Sequence, residues 1–134
     1  MYKHFFDATI LRSYDIRGIF EQTLNSNDAW MLGYFFGLTI KQKHPLKLNP
    51  LVIIGMDGRL SSPILELSLN DGLKKAGCKI YRIGMGPTPM LYFANKYFNA
   101  DGAIQVTGSH NPKNHNGFKI VANQKSFFGE DILM

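Results

Sequence analysis

The period of hydrophobic and polar positions changes several times along the chain, and each change predicts an element. Trp30, Met31, Tyr34, Phe35 and Leu38 recur at three and four residues, the spacing of one helical face. Ser26 is placed as N-cap, Asp28 sits in the first turn, and the helix ends near Lys43 ahead of Pro45. Leu51 to Gly55 is a continuous apolar run, the pattern of a strand buried on both faces. Ser62 then caps a second helix with Pro63 at its first position, Ile64, Leu65, Leu69, Leu73 and Ala76 as its apolar stripe, and Gly77 as its stop. Lys79 to Ile83 reads as a strand, Pro89 opens a third helix carrying Leu91, Tyr92, Ala94 and Tyr97, and Ala103 to Thr107 forms the next strand. Ile120 to Ala122 adds a further short one.

Strand, helix, strand, helix, strand is the order of an α/β layer fold. Residues 1–134 are therefore expected to form one three-layer α/β/α domain with a mixed, largely parallel sheet of about four strands. In such sheets ligands gather outside the carboxyl ends of the strands. Three loops leave strands here, at Asp57–Ser62, Gly84–Pro89 and Gly108–Gly117, and should converge on one sheet edge. The apolar fraction of 45% is ordinary for a globular domain of this length. The single cysteine, Cys78, excludes a disulfide framework, reads as a small buried hydrophobe and fits a reducing cytoplasm. Lys3, Asp7 and Arg12 interrupt the apolar opening, unlike a secretion signal, and no window has the length of a membrane span. The net charge of +5 is dispersed, without the arginines and interleaved aromatics of a nucleic-acid surface, and suits small anions better. The final Ile132-Leu133-Met134 has nothing after it to bury it, which reads as a cut within a longer polypeptide.

Candidate chemistry concentrates in Val106-Thr107-Gly108-Ser109-His110-Asn111-Pro112, continuing to Asn116-Gly117-Phe118-Lys119. Asn116-Gly117 is a turn signal that would return Lys119 towards Ser109. A serine hydroxyl is a poor nucleophile at its free pKa and needs a base, a cationic setting or a metal. His110, Lys119 and Arg17 are the candidates, while the absence of a GxSxG elbow disfavours acyl transfer. Serine with cationic groups suits phosphoryl transfer, where catalysis is mostly positioning and charge neutralisation. A polar loop whose Ser109 and Asn111 merely satisfy backbone groups would use the same residue types. Asp15 and Arg17, two apart in an extended stretch, share a face, either as an anion site or as a surface ion pair. Asp57 and Arg59 read as site organisers through carboxylate and guanidinium hydrogen bonds. His110 and His115 lack the further ligands of a zinc site, and Gly84–Gly86 lacks the lysine of a Walker loop.

Four blocks in order carry a family likeness: Tyr14-Asp15-Ile16-Arg17-Gly18; Gly55-Met56-Asp57-Gly58-Arg59 with Ser61-Ser62; Gly84 with Pro87-Thr88-Pro89; and Thr107 to Pro112 with Asn116-Gly117-Phe118-Lys119. The chain resembles the N-terminal domain of the bacterial α-D-phosphohexomutases, the group containing phosphomannomutase and phosphoglucomutase. The resemblance implies that Ser109 carries a phosphoryl group and donates it to a hexose monophosphate. A hexose 1,6-bisphosphate would then be the intermediate, and also the activator. It further implies Mg²⁺, with phosphorylated Ser109 as one ligand, Lys119 in proton transfer, His110 in orientation and Arg17 in charge neutralisation, with Asn111 and Asn116 among the organisers. Gly108 and Phe118 fit the mannose/glucose members. Gly33-Tyr34-Phe35 departs from the usual glycine-arginine-alanine of the first helix, a change of packing more than of chemistry. No DxDxD pattern, which supplies the family's other metal ligands from a second domain, occurs in the chain. The resemblance thus implies a fragment inactive alone, whose partners are phosphorylated hexose and the remaining domains of the enzyme. The alternative is a non-catalytic α/β interaction module, and either form would self-associate through former domain interfaces.

Overall fold

The computed structural model describes His4, Phe6, residues 15–122 and residues 125–126. Expectations for Tyr14, the Asp15 side chain, most of the opening segment and Ile132–Met134 lie outside the described residues. The elements run β1 (Asp15–Ile19), α1 (Ser26–Lys43), β2 (Leu51–Met56), α2 (Ser62–Ala76), β3 (Lys79–Met85), α3 (Thr88–Tyr97), β4 (Gly102–Val106), β5 (His115–Ala122) and β6 (Lys125–Ser126). Five strands stand in the order β1-β5-β4-β2-β3, and the two-residue β6 lies beside β5.

The apolar run of β2 divides its side chains between the two faces of the sheet, as a doubly covered strand must. Val52 and Ile54 join Ile104, Val106, Phe118 and Ile120 beneath α1 and α2, whereas Ile53, Ala103 and Val121 meet Leu91 and Ala94 of α3. The three-layer α/β/α architecture with a mixed sheet is therefore as expected. The sheet is wider and less parallel than the pattern indicated: β2 pairs in parallel with β3 and β4, but β5 is antiparallel to β4, β1 and β6. The reason is loop length. Residues 107–114 between β4 and β5 are too few for a parallel crossover, so the chain must return antiparallel.

Two caps differ from the pattern. Asn25, not Ser26, caps α1, because only from Asn25 does Asp28 fall at the third helical position and complete a reciprocal box. Asn25 Oδ1 accepts from Asp28 N–H at 3.0 Å and Asp28 Oδ2 accepts from Asn25 N–H at 2.9 Å. Ser61 rather than Ser62 precedes α2, and no side chain caps that helix; the Ser62 hydroxyl is used elsewhere. Gly77 ends α2 at φ +96°, as its position predicted. Cys78 is buried, and burial pushes its thiol pKa up to about 11.

The buried face of α1 runs through Ala29, Leu32, Gly33, Phe36, Gly37 and Ile40, while Trp30 and Tyr34 are only half-buried and stack on each other at 5.4 Å. The stripe is displaced because two glycines lie on it, letting α1 meet α2 backbone to backbone. A Cβ on Gly72 would stand 2.0 Å from the Trp30 carbonyl oxygen and 2.9 Å from Tyr34 N, and one on Gly33 would stand 2.4 Å from the Leu69 carbonyl oxygen. Rigid main chain, not a mobile side chain, opposes the added methyl. Gly72→Ala is therefore expected to lower stability by roughly 1–3 kcal/mol through overpacking, despite alanine's better helix propensity. A thermal midpoint equal to or above wild type would contradict the close contact.

Candidate functional site

Three parallel strands, β2, β3 and β4, bring their carboxyl ends to one edge, and their loops hold one another there. Gly86 N–H donates to Met56 O at 2.9 Å, Asp57 N–H to Val106 O at 2.9 Å, and the buried Gln105 side chain to Gly86 O at 2.9 Å. The predicted convergence is thus present.

Asp57 is the hub of this edge. Its Oδ2 accepts from Gly108 N–H and Thr107 Oγ1, each at 2.9 Å, and from Arg59 Nε at 3.2 Å; its Oδ1 accepts from Ser62 Oγ at 2.6 Å and Arg59 N–H at 3.1 Å. Burial alone would push this carboxyl's pKa up, but the hydrogen bonds from Ser62, Gly108, Arg59 and Thr107 together outweigh it and hold the group below its ordinary value. Both carboxylate oxygens are engaged by donors of this chain, the geometry expected of an organiser.

Arg59 spans from the same loop to the next. Its Nη2 donates to Ser109 O at 3.0 Å and Asn111 O at 2.7 Å, while Nη1 donates to His115 O at 3.1 Å and to Pro112 O. The guanidinium lies against Gly108, where a Cβ would fall 2.2 Å from Cζ. Asn116, fully buried, donates from Nδ2 to Ser61 Oγ at 2.8 Å and Ser62 Oγ at 3.0 Å, tying β5 to the start of α2.

The residues these contacts hold are those the sequence nominated. Ser109 takes φ +55°, in the left-handed region, and is exposed together with His110 and Asn111. Its N–H donates to Thr107 Oγ1 at 2.9 Å. Neither the Ser109 hydroxyl nor the Asn111 carboxamide hydrogen-bonds a described residue; the loop's backbone groups are met by Asp57, Thr107 and Arg59 instead. A loop whose Ser109 and Asn111 exist to satisfy their own backbone is therefore not what is observed. His110 likewise makes no hydrogen bond to Ser109.

Asn116-Gly117 forms no turn, contrary to its local signal. Both residues lie inside β5, where Gly117 pairs with Arg17 and Asn116 with Gly18. The override is steric and electrostatic: a Cβ on Gly117 would meet Ile16 O at 1.9 Å and Arg17 Nη1 at 2.7 Å, so the glycine is there for close approach. The chain instead reverses within 108–115, closed by Asn111 N–H to Gly108 O at 3.0 Å and His115 N–H to Pro112 O at 2.9 Å. Lys119 is placed instead by sheet register, opposite Gln105 of β4 and Asp15 of β1. Because Ile16, Phe118 and Ile120 are buried under α1 and α2, the alternation places Arg17 and Lys119 together on the other face. Arg17 is buried, not a surface partner, and donates to Thr107 O at 2.8 Å.

Thr107 and the Ser61–Ser62 pair stood in the four sequence blocks without a site role of their own, and Gln105 was not nominated from sequence. Thr107 had a readable signal, since a threonine two before Ser109 can accept its N–H in an ST-turn; Gln105 had none. A cleft of about 760 Å³ opens beside the Arg59 contacts, among Phe20, Leu60, Ile64, Lys113 and Asn114, and Ser109, Arg17 and Lys119 do not line it. Among the described residues no group of three His, Cys, Asp or Glu side chains could hold a metal ion. Among the described residues no helix is long and apolar enough to cross a membrane.

Fold and site together define an α/β/α domain that presents a serine hydroxyl on a braced loop with cationic side chains from β1 and β5. The chain belongs to the phosphoglucomutase/phosphomannomutase family, as its α/β/α domain I, whose model matches residues 8–132. It is 43% identical over 124 residues to the phosphomannomutase/phosphoglucomutase of Pseudomonas syringae, covering 92% of this chain and 26% of that protein. It is 42% identical over 113 residues to the phosphomannomutase of Salmonella typhimurium, covering 84% of this chain and 23% of that one. A crystal structure of a phosphoglucomutase/phosphomannomutase family protein from Burkholderia thailandensis superposes with a TM-score of 0.86 at 36% identity, over 96% of this chain and 29% of its own. The chain thus spans about a quarter of the length of these relatives.

Proposed function

We propose that this chain supplies the phosphoryl-carrying serine of a cytoplasmic phosphohexomutase that interconverts hexose 1-phosphate and hexose 6-phosphate. The observation that carries this reading is Ser109 itself: an exposed hydroxyl without a hydrogen-bond partner among the described residues, on a backbone held by Asp57, Thr107 and Arg59. The bond between phosphorus and Ser109 Oγ breaks as a sugar hydroxyl oxygen bonds to phosphorus, and the hydroxyl proton passes by way of Lys119 to the departing Ser109 oxygen. In the second half, Ser109 Oγ takes the other phosphoryl group of the hexose 1,6-bisphosphate, and its proton passes back by way of Lys119 to the departing sugar oxygen. Arg17, on the same sheet face, offsets the phosphoryl charge, and His110 orients the group from the loop.

Phosphorylated Ser109 offers its oxygens as one ligand for Mg²⁺, which would withdraw charge from the phosphoryl group. The described residues do not complete such a site, because they contain no cluster of ligands and the Asp57 oxygens are taken by donors of this chain. The chain spans about a quarter of its relatives' length, and the 134 residues are expected to be inactive alone. Phe93 and Tyr97, 68% and 71% exposed on α3, are the surface through which the isolated chain would self-associate.

The test is a coupled mutase assay with mannose 1-phosphate and glucose 1-phosphate, Mg²⁺ and a hexose 1,6-bisphosphate. It is run on the polypeptide expressed to its gene's stop codon and on residues 1–134 alone. Turnover by the former that chelation abolishes, with none by the latter, is the expected result. A folded product that turns over neither sugar would leave the chain as a binding module.

A further inference from the structure

We propose that Arg59 is the positioning residue for the phosphoryl-carrying serine, acting on the loop backbone and not on the transferred group. The inference rests on Ser109 being that carrier. A guanidinium has five N–H donors and no acceptor. In Arg59 the acceptors are five as well: Asp57 Oδ2 for Nε, Pro112 O and His115 O for Nη1, Ser109 O and Asn111 O for Nη2. Every donor is spent within the protein, leaving none to grip a phosphate. The positive charge of Arg59 is thereby turned on the loop backbone.

What it imposes is visible in the loop. Ser109 holds φ +55°, a conformation that costs a residue with a Cβ and persists only where its surroundings dictate it. Thr107 Oγ1 fixes the N–H side of this residue and Arg59 Nη2 the C=O side, so the two peptide planes flanking the Cα are both held. The direction of the Ser109 side chain follows from those planes. Gly108 completes the arrangement, since a Cβ there would occupy the place of the guanidinium. Lysine cannot substitute, because a single ammonium with three donors cannot reach four carbonyls arrayed around a planar fork.

The experiment compares wild type, Arg59→Lys and Arg59→Ala in the polypeptide expressed to its gene's stop codon, reading backbone amide exchange, kcat and KM separately. Amide exchange in 108–115 is expected to rise about tenfold or more in both variants, while α2 and β2 exchange as in wild type. Turnover should fall roughly hundredfold in kcat, the penalty of a misplacement near 1 Å, with KM little changed. Millimolar guanidinium ion should restore part of the kcat of Arg59→Ala. Unchanged kcat, a loss confined to KM, or unchanged loop exchange would each overturn the assignment. If Arg59→Ala does not fold, Arg59→Lys decides. If wild type neither turns over nor takes a phosphoryl group onto Ser109, the mutase reading fails, and loop exchange still decides whether Arg59 holds the loop.

Discussion

Ser109→Ala is expected to abolish mutase turnover, by roughly 10³-fold or more, in the polypeptide expressed to its gene's stop codon. No neighbouring hydroxyl can take its place: Thr107 Oγ1 already donates to Asp57, Ser62 Oγ does the same, and Ser61 Oγ accepts from buried Asn116. The fold should survive, because the Ser109 side chain is exposed and makes no hydrogen bond, and alanine suffers about the same cost at φ +55° as serine. Stability is expected to change by less than about 0.5 kcal/mol, as for an ordinary surface substitution. The coupled assay gives the rate. Intact mass after incubation with hexose 1,6-bisphosphate shows whether one phosphoryl group is gained by wild type and none by the variant. Turnover persisting in a folded Ser109→Ala protein would sink the phosphoserine mechanism.

The second large effect is on stability. Asp57→Ala removes the acceptor of five hydrogen bonds and leaves the Arg59 guanidinium, largely buried, without its carboxylate. Losing one partner of such a pair costs about 3–5 kcal/mol, far more than the pair's net worth, because a charge and several donors are stranded. Urea unfolding of the 134-residue chain measures this, and a loss below about 1 kcal/mol would show that the hub is relaxed in solution. Asp57→Asn keeps the shape but only one acceptor oxygen, so it should fall between wild type and Asp57→Ala.

The same carboxylate predicts a pH dependence. Its folded pKa lies below the ordinary 3.8, so across that interval the unfolded chain binds the proton more readily than the folded one. Stability therefore rises with pH through the interval. Asp57's contribution is present in full above the ordinary value and is lost as pH falls through the depressed folded value. In Asp57→Asn this part of the curve should flatten below about pH 4, with the slope near neutrality unchanged. An identical acid limb in variant and wild type would mean that Asp57 is not held ionised by its donors.

Elements with a strong local period were legible. The apolar run of β2, the stripe of Leu65, Leu69 and Leu73, and Gly77 as a stop follow from side-chain alternation and backbone sterics, which operate within a few residues. The α1 cap was misplaced by one residue, because Asn25 and Ser26 are both good caps and only the reach of Asp28 chooses between them. Ser109, Arg17, Asp57, Arg59 and Lys119 could be nominated because such residue types rarely gather in loops without chemistry. Arg59 could be read as an organiser and Arg17 as a cation near the serine, but their partners could not be named: Arg17 is packed on β5 and donates to Thr107 O, and Arg59 donates to four carbonyls of the serine loop.

The sequence by itself determined the α/β alternation, the three polar loops after strands and the serine loop on which the proposed chemistry rests, because each is written in contiguous residues. Tertiary structure alone decided that Asn116-Gly117 is strand and not turn, since its partner Arg17 lies about a hundred positions away. It also decided that Lys119 and Arg17 share a face by register, and that the partners of Arg59 are carbonyls of the serine loop. These outcomes depend on which distant groups compete for the same donor, acceptor or space, and that competition exists only once the strands have paired.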